Sequence, residues 1–329
     1  MPARFQPRNP IRLSQQRPKT VIFHPRAELY RTLLGEAGAD AELRAMTDEA
    51  QLGEAIADAD ILITLACPPV VIERGRALRW IQTVSSGVDT LLPHRAALRD
   101  VIVTNARGIH VDQIGDYAMT AMLMLQWDLP RMLRSQAARR WDRDAKMPLA
   151  GRTLGIIGLG AVAQGVVRRA LASEMEVIGL SRSGAPVAGV SSVYTPDRLH
   201  AMLPRCDFVL LIVPATAETE RMIDAAALAA MKDSAFLLNF ARGSIVDETA
   251  LIAALTDGTI AGAALDVFAV EPLPVDSPLW TLPNVIITPH LAGMSADYEE
   301  RVVRSFLDNL PRFQRGEPLR NRVDLFRGY

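Results

Sequence analysis

From Thr20 onward, short apolar runs alternate with stretches whose apolar positions recur at helical spacing. The runs Thr20–Phe23, Ile61–Leu65, Trp80–Val84 and Val101–Thr104 read as strands, and Glu28–Ala37 and Glu49–Ala57 between them read as helices. A long helical region follows, from about Ile114 to Ala138. A second series of strands comes next: Thr153–Ile157, Glu176–Leu180, Phe208–Val213, Ala235–Asn239, Gly262–Asp266 and Val285–Thr288. Alternation of this kind predicts parallel sheets with helices on both faces. A last helix, near Ala296–Phe313, lies beyond the final strand, so its natural place is back on the first domain. The expected fold class is therefore α/β, with two doubly wound parallel-sheet domains, the second inserted into the first and a cleft between them. The expected segments are 20–112 with 291–329, and 113–290, preceded by residues 1–19.

Composition narrows the picture without changing it. The chain has 329 residues, a length that suits two domains, with 49 % apolar and 22 % charged residues. Lys+Arg is 36 and Asp+Glu is 37, so no excess of charge argues for nucleic acid or an anionic membrane as partner. The densest apolar run, Ala118 to Leu125, is too short to span a bilayer. Two cysteines, Cys67 and Cys206, exclude a disulfide-stapled scaffold and a Cys-rich zinc site; no metal is expected, and a reducing cytoplasmic setting is. Residues 1–19 hold four prolines, five basic residues and no acid, which predicts a flexible basic arm rather than a secretory signal; an organelle-targeting peptide is the alternative.

The first chemical signal is Thr153-Leu-Gly-Ile-Ile-Gly158-Leu-Gly160-Ala-Val-Ala163, a strand, then G-x-G-x-x-A, then a helix. Gly158 permits the tight turn, Gly160 lets the backbone approach a pyrophosphate, and the small Ala163 lets the helix pack close to the strand. The helix start, Ala161 and Val162, offers free N–H groups and a positive dipole end to phosphates. This is the pattern of dinucleotide binding. At the end of the next strand an NAD site places Asp or Glu to hold the ribose 2′-hydroxyl. Here the residues are Leu180-Ser181-Arg182-Ser183. A carboxylate would repel a 2′-phosphate, whereas Arg182 is able to hold one. NADPH is therefore expected over NADH; the alternative is that Arg182 stacks on the adenine and either cofactor is taken.

Three polar residues lie just past the carboxyl ends of strands in the same series: Arg242 in Asn239-Phe-Ala-Arg-Gly243, Glu271 after Asp266, and His290 in Thr288-Pro-His-Leu-Ala-Gly293. The glycine loop lies at the same end of its own strand. Ligands of open α/β sheets bind outside those ends, so Arg242, Glu271, His290 and the cofactor are expected to converge.

With these residues in hand, the chain resembles the NAD(P)-dependent D-isomer-specific 2-hydroxyacid dehydrogenases, from about Ile61 to the C-terminus. The anchors are Ser86-Gly-Val-Asp89, Asn105-Ala-Arg-Gly108, Gly151-Arg-Thr-Leu-Gly-Ile-Ile-Gly-Leu-Gly160, Asn239-Phe-Ala-Arg-Gly-Ser-Ile-Val-Asp247, Ala264-Leu-Asp-Val-Phe268 with Glu271-Pro272, and Thr288-Pro-His290. The glyoxylate/hydroxypyruvate reductase branch is the nearest in flavour. The resemblance implies a Rossmann nucleotide domain inserted into a flavodoxin-like substrate domain. It implies a loop at Ser85-Ser86-Gly87-Val88 whose N–H groups bind a substrate carboxylate. It extends the cofactor set to Val213, Pro214, Phe240, Ala241, Arg242, Asp266, His290 and Gly293. It also implies a homodimer with the Ile114–Trp141 arm in the contact. Two departures stand out: Gly115-Asp116-Tyr117 replaces a common Ala-Glu pair, and Glu174 occupies a position where glycine is usual.

The resemblance implies hydride transfer between the nicotinamide and C2 of a 2-oxo acid. His290 donates the proton, Glu271 orients the imidazole and raises its pKa, and Arg242 grips the carboxylate and polarises the carbonyl. Reduction is expected to fade as pH rises through the His290 titration. Leu65-Ala66-Cys67, Leu291 and Met294 are expected to set substrate size, which leaves phenylpyruvate-like acids open beside glyoxylate and hydroxypyruvate. Glu271 argues against a formate dehydrogenase, which pairs its histidine with Gln. A phosphite dehydrogenase and a nucleotide-sensing corepressor keep the same three residues and stay open as alternatives. With the chain ending at Tyr329, the C-terminal regulatory domain of long phosphoglycerate dehydrogenases is not expected.

Overall fold

A computed structural model describes residues 17–328. Spatially the chain divides into two units, Met1–Ile109 with Ala296–Tyr329, and His110–Ser295. Most of the segment expected as an N-terminal arm lies outside the described residues. Its last residues do not: Arg17 pairs with Asp40 at 2.9 Å, and Lys19 already opens the first strand.

The first unit runs β1 (Lys19–Phe23), α1 (Ala27–Glu36), β2 (Glu42–Met46), α2 (Glu49–Ala55), β3 (Ile61–Thr64), α3 (Pro69–Arg74), β4 (Trp80–Thr83) and β5 (Ile102–Thr104). The second runs α4 (Val111–Gln126), α5 (Leu129–Ala137), β6 (Thr153–Ile157), α6 (Ala161–Ala172), β7 (Glu176–Leu180), β8 (Ser192–Tyr194), α7 (Leu199–Met202), β9 (Phe208–Leu211), α8 (Ala225–Ala230), β10 (Phe236–Asn239), α9 (Glu248–Asp257), β11 (Gly262–Leu265) and β12 (Val285–Ile287). The last helix, α10 (Tyr298–Arg315), returns to the first unit.

The sheet of the first unit has the order β2-β1-β3-β4-β5, and that of the second β12-β11-β10-β9-β6-β7-β8, with every pairing parallel. Strands β3, β4 and β9 are buried along their whole length because helices cover both faces. In the first unit α10 closes one face: Phe306 stacks on Trp80 at 4.9 Å. The buried Trp80 Nε1 donates to Thr104 Oγ1 and that hydroxyl to Gln82 Oε1, both at 2.7 Å, so this polar core is satisfied. In the second unit α9 is capped by Asp247, which accepts from Ala250 N, and ends at Gly258 in the left-handed conformation.

The structure departs from the expected elements at several positions, β8 among them. The single helical region expected over 114–138 is two helices. Asp128 takes a left-handed backbone between them, and Pro130, which lacks an N–H, fits only the first turn of a new helix. The edge strand β2 was not expected, because Glu42 and Arg44 break its apolar character; they pair with each other at 2.6 Å. Glu174 has a φ of 57°, which accounts for glycine being usual there.

Candidate active site

The strand order of the second sheet reverses between β6 and β9, the topological switch where a ligand crevice opens outside the carboxyl ends. Gly158 follows β6 with a φ of 108°. A Cβ there would lie 2.8 Å from both the Ile212 carbonyl and Val213 Cγ1, so only glycine lets this turn lie against the end of β9, where Val213 and Pro214 follow. Gly160 precedes α6, and a Cβ built on it meets nothing within 4 Å, so that backbone face is open. Ala161 and Val162 begin α6 and aim its leading amides and positive dipole end out of the turn; Ala163 is fully buried against the sheet.

At the end of β7 the Ser181 hydroxyl is buried without a hydrogen-bond partner among the described residues. Arg182 beside it is exposed, and Ser183 Oγ accepts from Ala185 N at 3.3 Å. An open backbone face at a helix start, with an orphaned hydroxyl and a guanidinium at the next strand end, fits an NAD(P) dinucleotide.

Strands β10, β11 and β12 are neighbours, and their carboxyl ends carry the three polar residues. After β10 the buried Asn239 ties the turn: its Oδ1 accepts from Ala241 N at 3.1 Å and its Nδ2 donates to the Arg242 carbonyl at 3.0 Å. Phe240 and Ala241 are buried, and the Arg242 guanidinium donates to the Ala241 carbonyl at 2.7 Å. Gly243 then presses on the backbone of the next loop. A Cβ there would fall 1.9 Å from the Phe268 carbonyl carbon, so the Arg242 turn and the Glu271 loop meet only through a glycine.

In that loop Glu271 Oε1 accepts from Phe268 N at 3.0 Å, and Glu271 Oε2 lies 2.7 Å from His290 Nδ1. A carboxylate only accepts, so Nδ1 carries the proton and Nε2 is left as the working nitrogen. His290 is half exposed, with a left-handed φ of 51° that is unusual for a residue with a Cβ. It is over-determined by Asp266. The Asp266 carbonyl accepts from His290 N at 2.8 Å, while its carboxylate accepts from Thr288 Oγ1 at 2.7 Å and from Leu291 N and Ala292 N at 2.9 Å.

Glu271 and His290 are thus brought into direct contact, and Arg242 stands at the end of the adjoining strand. Gly293 ends the same segment, its carbonyl 3.0 Å from His110 Nδ1. This contact places His110 in the second unit, whereas Arg301 Nη1 donates to the Ile109 carbonyl in the first. The two units meet along the chain after residues 109 and 295.

In the first unit, Ser85, Ser86 and Gly87 follow β4. Ser85 Oγ donates to the Gly87 carbonyl at 2.7 Å, and Asn105 Nδ2 donates to the Ser86 carbonyl at 2.7 Å. Sequence reasoning missed Asn239 and Gly243 as structural parts of the site, and the bonding of Asp266 to the His290 segment. An Asn at a strand end before a turn and a Gly directly after Arg242 were the available signals. No group of three or more His, Cys, Asp or Glu able to hold a metal exists among the described residues, nor does any helix there have the length and apolarity to cross a membrane.

Residues 119–292 match the family described as "D-isomer specific 2-hydroxyacid dehydrogenase, NAD binding domain". The chain is 35 % identical over 316 residues to a D-3-phosphoglycerate dehydrogenase of Methanocaldococcus jannaschii, covering 93 % of this chain but 59 % of that one. It is 36 % identical over 283 residues to a glyoxylate reductase of Korarchaeum cryptofilum, covering 80 % of this chain and 82 % of the relative. Among solved structures it resembles an NADPH-dependent glyoxylate/hydroxypyruvate reductase of Sinorhizobium meliloti in complex with NADP and sulfate. That likeness has a TM-score of 0.85 at 28 % identity, over 94 % of this chain and 100 % of the other.

Proposed function

The chain belongs to the D-isomer specific 2-hydroxyacid dehydrogenase family, and from that premise we propose that it reduces a small 2-oxo acid, of the glyoxylate or hydroxypyruvate kind, to the D-2-hydroxy acid with NADPH. The observation that carries the reading is the 2.7 Å pair between His290 Nδ1 and Glu271 Oε2, on the strand rim that also holds the glycine loop. The reduced nicotinamide supplies a hydride to C2. His290 gives its Nε2 proton to the carbonyl oxygen as that carbon is reduced, and solvent restores the proton afterwards. Glu271 holds the ring in place and balances the imidazolium charge without taking the proton. Arg242 binds the substrate carboxylate and polarises the C=O.

Gly158, Gly160, Ala161 and Val162 hold the pyrophosphate. Ser181, Arg182 and Ser183 hold the 2′-phosphate, a reading supported by the orphaned Ser181 hydroxyl. Val213, Pro214, Phe240, Ala241, Asp266 and Gly293 border the nicotinamide side. The loop Ser85-Ser86-Gly87 binds a carboxylate through its amides. A homodimer is supported by exposed apolar side chains on the α4–α5 arm: Leu123, Trp127, Leu133 and Trp141, the last 92 % exposed. The two buried free cysteines suit a cytoplasmic setting.

The test is initial rates with glyoxylate, hydroxypyruvate, pyruvate and phenylpyruvate, each with NADPH and NADH, and phosphite with the oxidised cofactors. Turnover of a 2-oxo acid with NADPH well above NADH is expected, with His290→Asn lowering kcat by at least about 100-fold. Near wild-type turnover in His290→Asn overturns the proton-donor role. Activity with NADH alone overturns the Arg182 role, and turnover of phosphite alone overturns the substrate class.

A further inference from the structure

The loop after β4 is bonded on one side only. In a trans peptide the carbonyl and the N–H of the next residue point in opposite directions, so fixing one aims the other. Every carbonyl from Val84 to Gly87 accepts a hydrogen bond. The Val84 carbonyl takes one from the Tyr298 hydroxyl at 2.8 Å. The Ser85 carbonyl takes two, from Thr83 Oγ1 at 2.8 Å and from Ala106 N at 3.0 Å. Asn105 Nδ2 and Ser85 Oγ donate to the Ser86 and Gly87 carbonyls, each at 2.7 Å. On the other side of the same peptides, the N–H groups of Ser85 to Val88 meet no protein acceptor among the described residues. They include the amides proposed above to bind a carboxylate.

Thr83, Asn105, Ala106 and Ser85 lie in this loop or at the strand ends beside it. Tyr298 is the remote donor, 214 residues on and at the start of α10. That start is clamped on both sides of it. Asp297 pairs with Arg301 at 2.9 Å, and Arg301 Nη1 donates to the Ile109 carbonyl at 3.0 Å. The buried Glu299 pairs with Arg26, just after β1. Burial, reinforced by the Glu299 charge, pushes the Tyr298 pKa up to about 12, so the phenol keeps its proton and remains a donor.

We propose that Tyr298 is a positioning residue for the 2-oxo acid: by holding the Val84 carbonyl it aims the Ser85 N–H, and with it the amide side of the loop, at the substrate carboxylate. This rests on the carboxylate binding proposed for that loop. The carboxylate does not react, so the loop grips substrate and transition state alike, and a loosened loop shows in KM rather than kcat. Tyr30 supplies the control. It is 1 % exposed in the core against which Tyr298 packs, and its buried hydroxyl has no hydrogen-bond partner among the described residues. Tyr298→Phe and Tyr30→Phe each remove one phenol oxygen and keep the ring, but only the first breaks a bond.

Tyr298→Phe is expected to raise KM for the 2-oxo acid about tenfold, the scale of one buried hydrogen bond, with kcat and the KM for NADPH within about twofold. Tyr30→Phe is expected to leave all three within about twofold. A KM for the 2-oxo acid within twofold of wild type in Tyr298→Phe, a fall in kcat without a rise in KM, or equal effects in the two variants overturns the proposal. If the wild-type protein reduces no 2-oxo acid, the activity reading fails on its own. The Ser85 amide resonance in protein carrying isotope-labelled serine, identified by its loss in Ser85→Ala, then decides. A shift in Tyr298→Phe that is absent in Tyr30→Phe upholds the positioning of the loop, and the same signal in both overturns it.

Discussion

Asp266→Asn tests how the His290 segment is held. Asp266 is 2 % exposed, and its carboxylate accepts three hydrogen bonds from that segment: Thr288 Oγ1 and Leu291 N on Oδ1, and Ala292 N on Oδ2. Asparagine has nearly the same shape but only one acceptor oxygen. Its better orientation keeps oxygen at the Oδ1 position and puts the NH2 against the Ala292 amide, donor against donor. The loss of one charge-assisted bond and a buried amide left unpaired together cost about 2–4 kcal/mol. That is roughly a 30- to 700-fold loss of protection for the Ala292 amide, which hydrogen exchange reads directly. Loosening the segment by an ångström costs about 100-fold in kcat. The bond from His290 N to the Asp266 carbonyl is untouched by the change, so His290 stays in the loop and KM moves little. If the carboxylate serves only to contact the cofactor, the result differs: the Kd for NADPH rises, kcat at saturating cofactor holds, and Ala292 protection is unchanged. That combination would refute the reasoning.

Two further outcomes follow from the geometry. In Gly243→Ala the new Cβ would lie 1.9 Å from the Phe268 carbonyl carbon and 2.4 Å from Ala269 N, so backbone rather than a mobile side chain must yield. We expect a loss of at least about 3 kcal/mol by urea denaturation together with about 100-fold in kcat; unchanged kinetics would mean that the Arg242 turn and the Glu271 loop move independently. His24 accepts from Arg26 N through Nδ1 at 3.0 Å and packs edge-on against Tyr30, and burial lowers its pKa. Below about pH 6.5 the unfolded chain takes a proton that the folded one resists, so this contribution to stability is complete above that pH and is lost as pH falls. Denaturation midpoints at neutral and mildly acidic pH should show a drop in the wild-type protein that is smaller in His24→Asn, where Oδ1 replaces the acceptor; equal drops in both would contradict it.

Much of the site was legible because a parallel α/β sheet turns a linear pattern into a spatial rule. Each strand is followed by a turn at its carboxyl end, so Gly158, Arg242, Glu271 and His290 share an edge once their strands are recognised. The strands were recognisable because burial on both faces forces an apolar run. Where that force is absent the reading failed. β2 lies at an edge and carries Glu42 and Arg44, and β8 is three residues long. The break at Asp128 was signalled by Pro130 but outweighed by helical periodicity on both sides of it.

The sequence by itself determined the fold class, the glycine loop, the Ser181-Arg182-Ser183 strand end and the residue types on the rim, because each depends on a run of neighbours along the chain. Only the tertiary structure decided which atoms meet. Asp266 could have faced a cofactor or the protein, and the folded chain gives its carboxylate three protein donors. Gly243 reads as a turn residue until the Phe268 backbone is found where its Cβ would be. Tyr117 is one more position on a helix until Phe240, more than a hundred residues away in sequence, meets its ring edge-on. Periodicity records which way a side chain faces; which partner awaits it depends on the packing of remote segments, and no local pattern carries that information.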